Sequence, residues 1–134
     1  MYASLALLTA LFNYSFFLSL FAMFGLFQGA APAHHNLMPA QFGQGLRQSG
    51  AVLVDVRRPG EYALGYIPGA VNVEVTAPDF AQRVAALDKT KPTYLYCRSG
   101  ARSAKAAAQL TAAGFTQVYN LLGGVLDWPQ PLTR

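Results

Sequence analysis

The chain has a single cysteine, Cys97, and no lysine, arginine, aspartate or glutamate before Arg47. Each shortage excludes something. One thiol cannot form a disulfide within the chain, so a leftover cysteine in an exported protein points to intermolecular pairing or to a free reactive group. The net charge is +4 with no run of like charges, which leaves no nucleic-acid footprint. Internal repeats, glycine-rich nucleotide loops, paired catalytic carboxylates and metal-spaced clusters are all missing, and no cofactor is implied. His34 and His35 have no third ligand nearby and read as an exposed terminal pair. At 134 residues there is room for one domain and one core.

The uncharged beginning is a different polymer from the rest. From Leu5 to Phe27 it reads "LALLTALFNYSFFLSLFAMFGLF", 23 predominantly apolar residues. About 20 such residues can cross a bilayer as a helix. Ala31 and Ala33 then form the small-x-small pattern that precedes a signal-peptidase cut. The division expected is a signal peptide or membrane-anchor segment over 1–33 and a soluble domain over 34–134. Export with cleavage near Ala33, giving a periplasmic or otherwise exported domain, is the favoured reading. The alternative is an uncleaved anchor through residues 5–27, because the run exceeds an ordinary signal core of about 7–15 residues and lacks basic residues before it.

The remainder alternates between two periodicities. Pro39 suits the first turn of a helix and Gly50 its end. "AVLVDV" (51–56) has the β-branched, continuous apolar look of a strand buried on both faces. Pro59-Gly60 and Pro68-Gly69 bracket a short helix, and "AVNVEV" (70–75) reads as a second strand. Phe80, Val84 and Leu87 lie at helical spacing within 78–87. "TYLYC" is a third strand ending at the cysteine, followed by a helix over 101–113 that Gly114 stops. "TQVYNL" is a fourth strand and 123–128 a short closing helix. Strands alternating with helices predict an α/β fold: a small, mostly parallel sheet with helices on both faces, preceded by an N-terminal hydrophobic helix. In such sheets ligands bind at the carboxyl ends of strands, where Cys97 stands.

The stretch "CRSGARS" runs from strand into helix. The first amides of a helix lack intrahelical acceptors, and Gly100 lets the backbone curl without a Cβ penalty. Amides of Arg98, Ser99, Gly100, Ala101, Arg102 and Ser103 can then ring the Cys97 sulfur as an anion-binding nest. Such a ring, the helix dipole and neighbouring guanidinium groups all stabilise a thiolate. A place beside glycine and arginine argues against a thiol buried as an inert core residue. Ser99 and Ser103 could also serve simply as helix caps. Tyr94, Tyr96 and Tyr119 read as core or edge packing.

Three blocks resemble the rhodanese homology domain in its single-domain form. They are "VDVRRPGEYALGYIPGAVNV" (54–73), "YLYCRSGARS" (94–103) and "GFTQVYNLLGGVLDW" (114–128). The resemblance implies a thiosulfate-type sulfurtransferase. Cys97 would be the catalytic nucleophile, taking a sulfane sulfur from a small anionic donor and passing it, as a persulfide, to cyanide or to a small or protein thiol. Loop residues 98–103 would bind the substrate, with Arg102 on the donor's oxyanion. A dianionic donor fits two arginines, which places thiosulfate ahead of mercaptopyruvate. Asp55, Arg57 and Glu61 match signature positions and are expected to be structural, tying the first strand to the following turn. Gly65-Tyr66-Ile67 departs from the family's Gly-His-Ile, a change that bears on the rim of the site rather than on its chemistry.

Two rival functions use the same loop. A phosphatase or arsenate reductase of this fold places its arginine six positions after the cysteine, whereas Arg102 is five after Cys97. A sulfane-sulfur carrier without turnover would need the same cradle.

Overall fold

A computed structural model describes residues 34–134. The expected hydrophobic helix and the leader-or-anchor segment of 1–33 lie outside the described residues. Among those described, no helix is long and apolar enough to cross a membrane.

Five strands form one sheet: β1 (His35–Leu37), β2 (Val52–Asp55), β3 (Val71–Asn72), β4 (Thr93–Tyr96) and β5 (Val118–Leu121). Their order is β1-β5-β4-β2-β3, and every pairing is parallel. Four α-helices connect them: α1 (Pro39–Gly45), α2 (Pro59–Leu64), α3 (Phe80–Ala85) and α4 (Ala101–Ala112). A 3₁₀ turn over Gly124–Asp127 follows β5. Parallel neighbours require crossovers, so all strand carboxyl ends emerge at one edge of the sheet.

Strand alternation divides the core into two layers. Val54 and Val56 from β2 and its exit, with Leu95 from β4, pack against Phe80 and Val84 of α3 and Ala106, Ala107 and Leu110 of α4. Leu53, Tyr94 and Tyr96 point the other way, onto Phe42 of α1, Ile67 and Leu121, with Val125 and Trp128 alongside. The alanines of α4 are what let it lie close to β4 and β5. Tyr94 stacks on Tyr119 with ring centroids 4.7 Å apart and meets Phe42 edge-on, so the strand tyrosines are packing residues as expected.

Two strands differ from the sequence reading. The run 70–75 is a strand only over Val71–Asn72. It is an edge with one neighbour, and beyond Asn72 the amides of Val73 and Val75 still donate to the carbonyls of Asp55 and Val56, at 2.9 and 3.1 Å, without a ladder. β1 was not anticipated. Its three residues, two of them polar, carry no alternation, and only the edge of β5 holds them straight. His35 stacks on Tyr119 there.

Candidate active site

Cys97 follows β4 by one residue and keeps its register. It therefore faces the same layer as Leu95, against α4, and only 1% of it is exposed. This corrects the expectation of an unburied thiol: glycine and arginine beside it do not lift it out, because strand parity turns it inward and the loop folds over it. The loop is closed from the far side by the 3₁₀ turn. The amide of Val125 donates to the Cys97 carbonyl at 2.9 Å, and that of Leu126 to the Arg98 carbonyl at 3.2 Å. Gly124 makes this approach feasible, since a Cβ there would lie 2.6 Å from the Cys97 carbonyl oxygen.

Gly100, at φ +100°, is the N-cap of α4, and its amide donates to Sγ of Cys97 at 3.1 Å. The Ser103 hydroxyl lies 3.4 Å from the same sulfur and 3.2 Å from the Gly100 carbonyl. Burial pushes the thiol's pKa up. The Ser103 hydroxyl and amide, with the amides of Gly100 and Ser99, more than offset it, and the pKa ends below the ordinary thiol value. The ring is thus narrower than the sequence suggested. Arg98, Ala101 and Arg102 bring no hydrogen bond to the sulfur. Nor does either serine cap the helix, since the N-cap is glycine without a side-chain bond.

Arg102 and Arg98 diverge. Arg102 forms a two-pronged ion pair with Glu61 of α2, both contacts 2.8 Å. These bonds hold the Glu61 pKa down at about 2 and raise that of Arg102, to which the charge of Cys97 adds a smaller upward push. Arg98 is exposed and has no ion pair among the described residues. Glu61 also accepts the Arg58 amide at 3.1 Å, closing the first turn of α2. It therefore both closes a turn and anchors an arginine on the thiol loop, a pairing the sequence did not announce. Asp55 and Arg57 form a buried pair whose guanidinium also donates to the Gly65 carbonyl at 2.7 Å. Tyr66 stacks on Tyr62, centroids 4.1 Å apart, and pairs with Thr133 through backbone bonds. It packs against the core layer of Phe42, Leu53 and Tyr96, opposite the layer that holds Cys97.

A cleft of about 350 Å³ is lined by Arg58, Glu61, Thr76 and Arg102. Two of these, Arg58 and Thr76, were not singled out from the sequence. The only signal for Arg58 is parity: it is one step from Arg57, which turns back onto Asp55. Asn120 was also missed. It is a buried amide on β5 that donates to Asn36 and, at 3.4 Å, to the Gly100 carbonyl, and a lone polar residue in an apolar strand was its trace. Among the described residues no cluster of three metal-ligating side chains exists.

A parallel α/β sheet whose central strand ends in an amide-held thiol with a lowered pKa, on a loop that also carries an arginine, defines a class of anion-handling cysteine proteins. The match to known proteins is more specific. The Rhodanese-like domain model covers residues 38–130, and the chain belongs to that family. It is 41% identical over 92 residues to the thiosulfate sulfurtransferase GlpE of Pseudomonas fluorescens, covering 68% of this chain and 82% of that one. It is 40% identical over 93 residues to the uncharacterized protein YqhL of Bacillus subtilis, covering 69% and 71%. A crystal structure of a rhodanese-like domain protein from Staphylococcus aureus superposes with a TM-score of 0.65 at 28% identity, over 74% of this chain and 96% of that one. These likenesses support sulfurtransferase activity in general.

Proposed function

We propose that the domain is a thiosulfate sulfurtransferase working through a persulfide on Cys97. The observation that carries this is the sulfur itself, held by the Gly100 amide at 3.1 Å and the Ser103 hydroxyl at the mouth of α4, with a depressed pKa despite burial. In the first step the Cys97 thiolate attacks the outer sulfur of thiosulfate. A new Sγ–S bond forms, the donor's S–S bond breaks, and its electron pair leaves on sulfite. The negative charge now sits on the outer sulfur of the persulfide, where amides of the loop can still meet it. In the second step an acceptor, cyanide or a thiolate, takes that sulfur and returns the Cys97 thiolate. Arg102, fixed by Glu61 with the rest of its guanidinium unclaimed, steers the dianionic donor from the cleft, and Arg58 adds a second cation there.

Intact-mass measurement tests the reading. Thiosulfate adds one sulfur, about 32 Da, to the protein but not to Cys97→Ser, and cyanide removes it. A gain in both proteins or in neither refutes it. Steady-state thiocyanate release separates an enzyme from a carrier that loads once. We also read 1–33 as the segment that exports or anchors this domain. An N-terminus at His34 in the mature protein would support cleavage, and Met1 retained in membranes an anchor.

A further inference from the structure

Asn120 lies in β5 between β4 and β1, 2% exposed, paired with Leu95 and so on the face of the sheet that holds Cys97. Its amide nitrogen donates to Oδ1 of Asn36 at 2.9 Å and to the Gly100 carbonyl at 3.4 Å. Its own Oδ1 is buried with no hydrogen-bond partner among the described residues. A main-chain carbonyl can only accept, so the nitrogen must be the atom that faces Gly100, and turning the amide over to satisfy the oxygen would break that bond. A buried acceptor without a donor weighs against the folded state. An apolar residue here would leave no such orphan, so the use of the amide lies in what it holds.

The Gly100 carbonyl is reached by three donors: the Ala104 amide at 3.1 Å, the Ser103 hydroxyl at 3.2 Å and the Asn120 side chain at 3.4 Å. A carbonyl oxygen has two lone pairs, so one donor must yield. The Ala104 and Asn120 hydrogens belong to planar amides and cannot be redirected, and a buried N–H without an acceptor is costly. The Ser103 hydroxyl is a rotor with one hydrogen and a second acceptor, Sγ of Cys97 at 3.4 Å. A bond to an ionised sulfur is the stronger of its two choices. We propose that Asn120 is a positioning residue: by filling the Gly100 carbonyl it turns the hydroxyl hydrogen of Ser103 onto the Cys97 sulfur. β1 then has a use beyond the sheet, because Asn36 accepts the second Asn120 N–H and keeps the amide facing Gly100. This role rests on the sulfurtransferase reading above, in which that hydrogen helps keep the nucleophile ionised, but it is measured on the resting thiol, without turnover.

Thiolate absorbance titrations of the full chain test it, with the variants Asn120→Leu, Asn120→Val, Ser103→Ala and Asn120→Leu/Ser103→Ala. Both Asn120 variants free the Gly100 carbonyl for the Ser103 hydroxyl. Their thiols should therefore titrate at higher pH, by as much as in Ser103→Ala, and persulfide formation at neutral pH should slow by roughly threefold to tenfold. At a pH above all of these titrations the loading rates should converge, which a loosened loop would not allow. The double variant should match Ser103→Ala alone, because without the hydroxyl the freed carbonyl has nothing to divert. Additive shifts in the double variant, or an Asn120→Leu thiol that titrates as in the unaltered protein, overturn the proposal. Failure of both Asn120 variants to unfold cooperatively also overturns it, since the amide would then serve the fold and not the sulfur. If the titrations behave as stated but the unaltered protein takes up no sulfur from thiosulfate, the sulfurtransferase reading fails and the placement of the hydrogen stands.

Discussion

At the scale of single residues, the site turns on a contest at one sulfur atom. Burial alone would keep Cys97 protonated, and the Ser103 hydroxyl leads the groups that reverse this. The sign of the pH effect follows. A thiol whose folded pKa is depressed adds stability that is fully present above the ordinary thiol pKa, about 8.5, and that fades as pH falls toward the folded value. Activity fades in the same direction as the nucleophile takes up its proton. Ser103→Ala removes the first of the lowering contributions without touching the Gly100 amide. Its thiolate absorbance should titrate at higher pH than in the unaltered protein, and persulfide formation at neutral pH should slow by roughly threefold to tenfold. An unchanged titration would mean the hydroxyl spends its proton on the Gly100 carbonyl, 3.2 Å away, rather than on sulfur. Glu61 behaves differently. With a pKa of about 2 it stays ionised through any assay range, so the Arg102 pair contributes no pH dependence near neutrality.

At the scale of elements, the thiol loop is shaped as much by the turn after β5 as by its own sequence. Gly124 has φ +60°, and a Cβ there would press on the carbonyls of both Cys97 and Arg98. Gly124→Ala must push the 3₁₀ turn away and break the bonds from Val125 and Leu126, so a loss of about 1–3 kcal/mol in unfolding free energy is expected, with activity falling alongside. Gly60→Ala is the matched control. It lies in the first turn of α2 with nothing within 4 Å of an added Cβ, and should be neutral or stabilise by about 0.4–1 kcal/mol. Denaturant midpoints of the two variants compare them directly. The same turn shows which elements a sequence can announce. β2, β4 and β5, each flanked by neighbours and rich in β-branched or aromatic residues, were legible, as were the helices opened by Pro39 and Pro59. β1 was not, and β3 was overdrawn, because edge strands are defined by the partner that holds them rather than by their own pattern. At the site, the loop residues stood out as a cluster. The pairing of Glu61 with Arg102, forty-one positions apart, and the support of Gly100 by Asn120 exist only through tertiary contact, and no local spacing encodes them.

At the scale of the whole molecule, an all-parallel sheet delivers every functional loop to one edge, and something must hold those loops against one another. The buried Asp55–Arg57 pair is that fixture on the β2–β3 side. Asp55 is fully buried and Arg57 is 6% exposed. The carboxylate binds the Arg57 amide and side chain, and the guanidinium continues to the Gly65 carbonyl at the end of α2. Asn72 of β3 donates to the carbonyls of Asp55 and Arg57, at 3.0 and 2.9 Å, and the Tyr96 hydroxyl joins the group from β4 while accepting the Ile67 amide. One carboxylate thus ties β2 to β4 and, through Arg57, to the end of the helix that carries Glu61, while Asn72 ties β3 in through main-chain carbonyls. Removing it leaves a guanidinium charge in a place with almost no water, which costs about 3–5 kcal/mol for a broken buried pair. Asp55→Ala should therefore lose most of a small domain's stability, and its heat-unfolding transition should drop far more than that of Arg102→Ala, where the broken pair is about one-third exposed and the released Glu61 meets solvent. Equal shifts in the two variants would show that the buried pair is solvated in practice, and that the sheet edge is held together by its apolar layers alone.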